Sequence, residues 1–178
     1  MADALVLTLL GPDRPGLVED LAALVSSCGG NWLDSRMSHL GGQFAGILRI
    51  TVAADQQEEL QNGFAQLREA GLQISAMPDD AQAPFEALKA VKIQVTGQDH
   101  PGIVRDLTHV LAQHEGNIEE LNTWTENAPW SGDVLFCASI EVQIPAEVPS
   151  TELRTSLESI AQDLMVDLRL EAPQPELA

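Results

Sequence analysis

Tyrosine is missing from this chain, and aromatic residues make up only 4% of its 178 residues. A sheet that reads RNA displays aromatic platforms on its central strands and a basic surface around them, and this composition provides neither. Basic residues are scarce: nine Lys and Arg stand against 27 Asp and Glu, for a net charge of −18. The acid is spread along the chain, with −8 over residues 1–87 and −10 over residues 88–178. Binding a phosphate backbone needs clustered Lys and Arg to displace counterions, so direct contact with nucleic acid is excluded. Cysteine occurs twice, at Cys28 and Cys137, which is too few for a disulfide framework or a zinc ligand set. Both are expected to be buried thiols. No apolar run approaches the ~20 residues of a membrane span, and the opening Met1-Ala-Asp-Ala-Leu-Val-Leu lacks the basic stretch of a secretory signal. A cytoplasmic protein with no membrane contact is expected.

What the chain does contain is repetition. Gly11-Pro-Asp13-Arg-Pro15-Gly16-Leu-Val18 returns 86 residues later as Gly97-Gln-Asp99-His-Pro101-Gly102-Ile-Val104. Between Gly11–Asn31 and Gly97–Asn117, 9 of 21 positions are identical. This period is too long for a solenoid and matches a small domain, so the chain is a tandem duplication. Any functional account must therefore explain two sites.

Each copy shows the same order of elements. Leu5, Leu7 and Leu9 alternate on one face of a first strand, as do Val91, Ile93 and Val95 in the second copy. After the Gly/Asp/Pro/Gly turn, Leu17, Leu21, Leu24, Val25 and Cys28 follow a helical period, echoed by Ile103, Leu107, Val110 and Leu111. Gly29-Gly30 and Gly116 are expected to end these helices in a left-handed cap, before Asn31 and Asn117 open a second strand. Gly41-Gly42 predicts a tight hairpin into a third strand from Phe44. Phe136–Val142 aligns with Phe44–Ile50 at an offset of 92, so the second copy has gained six residues around Glu126 to Gly132. A second helix and a fourth strand close each copy.

The order βαββαβ with short connections predicts an α+β fold: two ferredoxin-like plaits, each an antiparallel four-stranded sheet with both helices on one face. Residues 1–78 form the first domain, 79–87 a linker, 88–172 the second domain and 173–178 a C-terminal tail. Small domains bury modest cores, so the two are expected to lean on each other. Val6, Thr8 and Leu10 on the bare face of the first sheet suit a covering partner better than Lys92, Gln94 and Thr96 do on the second. Unpaired sheet edges offer another contact, including a homodimer.

The repeated turn carries the chemistry. Its structural role is plain: glycine allows positive φ, and aspartate can cap a helix. It also has the parts of a binding site. A helix N-terminus suits a carboxylate, and Asp13 or Asp99 beside it suits an ammonium group, together the two charges of a free amino acid. Asn31 and Asn117 are expected to add a donor and an acceptor near the turn, and Gly16 and Gly102 to let a ligand approach the backbone.

GxDxPG followed by a helix and then Gly-Asn resembles the ACT domain, a βαββαβ module that binds amino acids. The resemblance covers nearly the whole chain, twice. It implies ligand contacts at Gly11, Asp13 and Asn31 and at Gly97, Asp99 and Asn117. Many amino-acid-binding ACT domains carry Asn where Asp13 and Asp99 stand. Residues Gly30 to Gly46 and Ala128 to Phe136 look more narrowly like two-ACT proteins related to the glycine cleavage system transcriptional repressor. That resemblance implies a regulator responding to an amino acid such as glycine, with no DNA-binding domain, acting through a protein partner.

The remaining candidates are weaker. His39, His100, His109 and His114 have no partners at catalytic or metal spacing and read as surface or capping residues, and no metal, cofactor or catalytic residue is expected. Trp32 falls where the other copy has Ile118 and reads as core. Trp130, in the insertion with Pro129 and Gly132, is a candidate for partner binding or for folding back over its own sheet. An acylphosphatase-like hydrolase would need an arginine cradle in the first loop, yet Arg14 becomes His100 in the repeat. A ligand-free interaction module remains the alternative to an amino-acid sensor.

Overall fold

The alternating leucines commit the first segment to a strand. In the computed structural model this strand, β1, spans Ala2–Pro12 and buries Leu5, Leu7 and Leu9. The structure describes residues 2–79, 87–129 and 132–171. The chain divides into two compact units between Gln82 and Ala83. In the first unit β1 is followed by α1 (Leu17–Ser27), β2 (Asn31–Leu40), β3 (Gln43–Ala53), α2 (Gln57–Glu69) and β4 (Gln73–Pro78). The second repeats this as β5 (Leu88–Gln98), α3 (Ile103–Gln113), β6 (Asn117–Asn127), β7 (Val134–Pro145), α4 (Ser150–Asp163) and β8 (Val166–Glu171). Both sheets are antiparallel, in the orders β2-β3-β1-β4 and β6-β7-β5-β8, so the expected ferredoxin-like α+β plait is present twice.

One face of each sheet is sealed by its helices. Leu7, Leu48 and Ile50 of the first sheet pack with Leu21 of α1 and Leu60 and Phe64 of α2. In the second unit Ile93, Ile140 and Val142 meet Leu107 and Leu111 of α3 and Leu157 of α4. Each such side chain contributes about 1.5–3 kcal/mol on burial, and no polar residue is buried among the described residues. Cys28 and Cys137 are free and buried, and Trp32 is half-buried against the first core with its indole N–H donating to Ser35 Oγ.

Turn chemistry accounts for the connections. Gly41 and Gly42 have φ of 58° and 76°, the two positive values that a two-residue hairpin of matching twist requires. Gly11 pairs with Phe44 and Gly97 with Phe136, the register expected from the insertion in the second copy. That insertion is closed by the Ala128 N–H donating to the Asp133 carbonyl. Trp130 lies outside the described residues. Asp79 donates its N–H to Ala4 and accepts from Arg49 Nε at 2.6 Å, which ties it to the first sheet.

The helix ends correct one expectation. Gly116 is not the left-handed cap of α3: that conformation belongs to Glu115, at φ 55°, where the first copy has Gly29 at φ 62°. Gly116 is required for a different reason. A Cβ there would lie 2.9 Å from the Leu111 carbonyl and 3.0 Å from Val142 Cγ2, and Gly30 is equally confined by Val25. Met165 is a second left-handed residue, at φ 52°, where the first copy has Gly71 at φ 93°.

A side chain in the left-handed region costs roughly 1 kcal/mol, offset in part by the greater freedom glycine has when unfolded. Glu115→Gly should therefore raise stability by up to about 1 kcal/mol, seen as a higher midpoint in thermal or urea unfolding. Gly116→Ala should lower that midpoint markedly, because its methyl has no space.

Candidate functional site

The turn between β1 and α1 is positioned by a close backbone crossing. A Cβ on Gly11 would sit 2.9 Å from the Gly71 carbonyl, and one on Gly97 would sit 2.5 Å from Val166 Cγ1. The end of the first strand therefore lies directly against the corner leading into the last strand of its unit. Beyond the crossing, the N–H of Asp13 donates to the Gly42 carbonyl at 2.9 Å, and that of Asp99 to the Val134 carbonyl at 3.0 Å. The turn is thus pinned on two sides.

Gly16 and Gly102 are the N-cap residues of α1 and α3, with φ of 83° and 105°, and neither helix has a side-chain cap. The capping role expected for aspartate is not observed. The carboxylates of Asp13 and Asp99 are exposed, and neither makes a hydrogen bond or ion pair among the described residues. Each unit thus presents an unengaged carboxylate beside a helix N-terminus with no side-chain cap. A Cβ at Gly16 would meet nothing within 4 Å, so it is backbone conformation, rather than space, that requires glycine there.

The asparagines lie elsewhere. Asn31 pairs with Thr51, which pairs with Ala4, whereas the turn begins at Gly11, seven residues further along β1. At ~3.3 Å per residue that separation is about 23 Å. Asn117 is displaced from Gly97 in the same way, through Gln143 and Ala90. Because β2 runs parallel to β1 across the intervening antiparallel β3, its start falls at the far end of the sheet from the turn. The expectation that Asn31 and Asn117 stand near the turns of their own units is therefore corrected. The residues that do border the turns are Gly42, Gly71, Val134 and Leu164. Glycine punctuation marks the first two in the sequence, while the carbonyls of Val134 and Leu164 leave no sequence signal.

The two turns differ electrostatically. In the first, Arg14 Nη2 pairs with Asp20 Oδ2 at 2.7 Å on the opening turn of α1. In the second, His100 replaces arginine and reaches the end of α4, with Nε2 2.9 Å from the Leu164 carbonyl and Nδ1 3.2 Å from the Pro101 carbonyl. Only the imidazolium form donates to both. The Leu164 and Pro101 carbonyls, followed by the charges of Asp99 and Asp106, push the His100 pKa above its ordinary value. Arg105 bonds Asp106 at 2.6 Å and holds its carboxyl below the usual range. His114 caps the end of α3 and meets Ser156 Oγ on α4, and no group of metal-ligating side chains occurs among the described residues.

A model of the ACT domain matches residues 3–76 and 89–126. The chain belongs to the ACT-domain family. It is 30% identical over 166 residues to the glycine cleavage system transcriptional repressor of Escherichia coli (strain K12), covering 92% of this chain and 85% of that protein, and a Shigella flexneri protein of the same description matches equally. A crystal structure of an unknown protein from Galdieria sulphuraria superposes with a TM-score of 0.84 at 30% identity, covering 98% of this chain and all of that one. A protein provisionally assigned as a glycine cleavage system transcriptional repressor shares the fold, with a TM-score of 0.71 at 21% identity over 98% and 99% of the two chains. Both ACT units place their GxDxPG turn against the last strand in the same manner.

The raised His100 pKa has a direction in pH. The interaction is fully present below the ordinary imidazole value and is lost as pH rises through the folded-state value. The stability difference between the parent and His100→Gln should therefore favour the parent in mild acid and shrink towards alkaline pH. Paired thermal melts across that range measure it, and the difference cancels the titration of the other histidines.

Proposed function

We propose that this chain is a non-enzymatic, cytoplasmic regulatory protein that binds a small free amino acid, glycine or a similar one, at the turns after β1 and β5 and signals through a protein partner. The observation that carries this reading is the twice-repeated unengaged carboxylate, Asp13 or Asp99, beside a helix N-terminus with no side-chain cap. The carboxylate would receive the ammonium group, and the N–H groups after Gly16 or Gly102 would receive the ligand carboxylate. Gly11 and Gly97 hold the turn at the crossing. Since Asn31 and Asn117 lie at the opposite end of their own sheets, they would serve a ligand only at the turn of another ACT unit.

The similarity to a glycine cleavage system transcriptional repressor supports regulation as the setting and glycine as a ligand to test first. The net charge of −18 argues that any transcriptional effect passes through a protein rather than direct DNA contact. A hydrolase of the acylphosphatase kind is disfavoured because Arg14 is engaged by Asp20 and its counterpart is His100. The alternative, an interaction module without ligand, draws on the structural reasons that Gly11, Gly16, Gly97 and Gly102 have in any case.

Calorimetry of the full chain against the twenty amino acids separates these readings. Binding of a small amino acid is expected, and Asp13→Ala or Asp99→Ala should weaken it by about 1.5–3 kcal/mol, the range for a charge-assisted hydrogen bond. Unfolding midpoints should change little, since neither carboxylate caps its helix. Absence of any heat at millimolar amino acid would transfer the case to the interaction module.

A further inference from the structure

The two turns share a backbone but differ in what lies over the start of the helix. A methyl group built on Gly16 would meet nothing within 4 Å, so the approach to α1 is open. Built on Gly102, it would lie 3.4 Å from Arg105 Nη2 and 3.5 Å from Asp106 Oδ2. Both side chains come from the opening turn of α3, where long side chains lean back towards the N-terminus. The Arg105 guanidinium clamps Asp106 with two bonds, Nε to Oδ1 at 2.6 Å and Nη2 to Oδ2 at 3.0 Å. In the first copy Asp20 occupies the position of Asp106, yet its carboxylate is held 2.7 Å from Arg14 Nη2, on the turn itself. Glu19 stands where the second copy has Arg105, so it forms no such clamp. Arg14 in turn is replaced by His100, which reaches the end of α4 instead. Two exchanges, Arg14 for His100 and Glu19 for Arg105, thus decide where the shared aspartate goes.

Resting on the reading that these turns bind a small amino acid, we propose that they are unequal: the first is the tight site, and the second binds more weakly because its ligand must displace the Arg105–Asp106 pair. A ligand carboxylate entering at Gly16 finds the helix N-terminus open. At Gly102 it meets a carboxylate already seated at the positive end of the helix dipole, and a guanidinium whose charge that carboxylate has neutralised. The ammonium side is unequal as well. The His100 imidazolium bonds only carbonyls, so its charge competes with a ligand ammonium for Asp99, whereas Arg14 beside Asp13 is neutralised by Asp20. The Arg105 side chain is 80% exposed, and so open an ion pair is readily displaced. The second site is therefore weakened rather than closed, by roughly three- to tenfold.

Backbone-amide NMR of the full-length chain titrated with glycine separates the two turns. Leu17 and Val18 report on the first, Ile103 and Val104 on the second. The first-turn signals should move at a midpoint roughly three- to tenfold lower in glycine than the second-turn signals. Arg105→Ala/Asp106→Ala should bring the second midpoint down to the first. Arg14→His/Glu19→Arg, which installs the second copy's residues in the first turn, should raise the first midpoint towards the second, and it supplies the test if the alanine variant does not fold. Equal midpoints in the parent, or a lower one at the second turn, overturn the inequality while leaving amino-acid binding in place. Folded variants that keep the parental midpoints overturn the role of the Arg105–Asp106 pair. Signals that stay fixed at both turns up to millimolar glycine overturn the inequality together with the binding it rests on.

Discussion

The crossing at the end of the first strand governs what each ACT unit can present. Gly11 and Gly97 have no room for even a methyl group, because the chain entering β4 or β8 passes directly over them. This contact sets where the strand stops, and the stop sets where the helix begins. The bond from Asp13 or Asp99 to the neighbouring hairpin or loop then holds the turn open at the sheet end. A left-handed glycine starts the helix without recruiting the aspartate as a cap. The carboxylate is left exposed because glycine has taken over the conformational task.

Duplication has kept this arrangement and released the rest. In the second unit His100 ties the turn to the end of α4, while in the first Arg14 turns instead towards the helix that follows it. The helix-covered faces hold equivalent apolar residues in both units. The bare faces have separated, one towards Gln, Ser and Met on its edge strand and the other towards Asp, Arg and Glu. Core packing tolerates little change in volume, so divergence collects where the pleat points to solvent.

Strand alternation, helical spacing and paired glycines made the two plaits, their boundaries of insertion and their core faces readable before any coordinates. These signals are local, each resting on a period of two or 3.6 residues or on one positive φ. The glycine at Gly116 shows where local reading misleads. It fits a left-handed cap on sequence grounds, yet the strained residue is Glu115, and Gly116 answers to Leu111 and Val142. One of the two neighbours that confine it, Val142, is 26 residues away along the chain.

The sequence by itself determined the duplication, the order of elements, the acidic surface and the identity of the turn that carries an unusual charge pattern. Only the tertiary structure decided which groups that turn meets. Asn31 follows α1 closely in the chain but opens a strand that starts at the far end of the sheet, because the helix has carried the chain back along β1. His100 and Leu164 lie 64 residues apart and meet because α4 ends beside the turn. Periodicity sets which face a residue occupies, whereas the direction of each strand sets the end at which it lies, and that direction exists only once the sheet has formed.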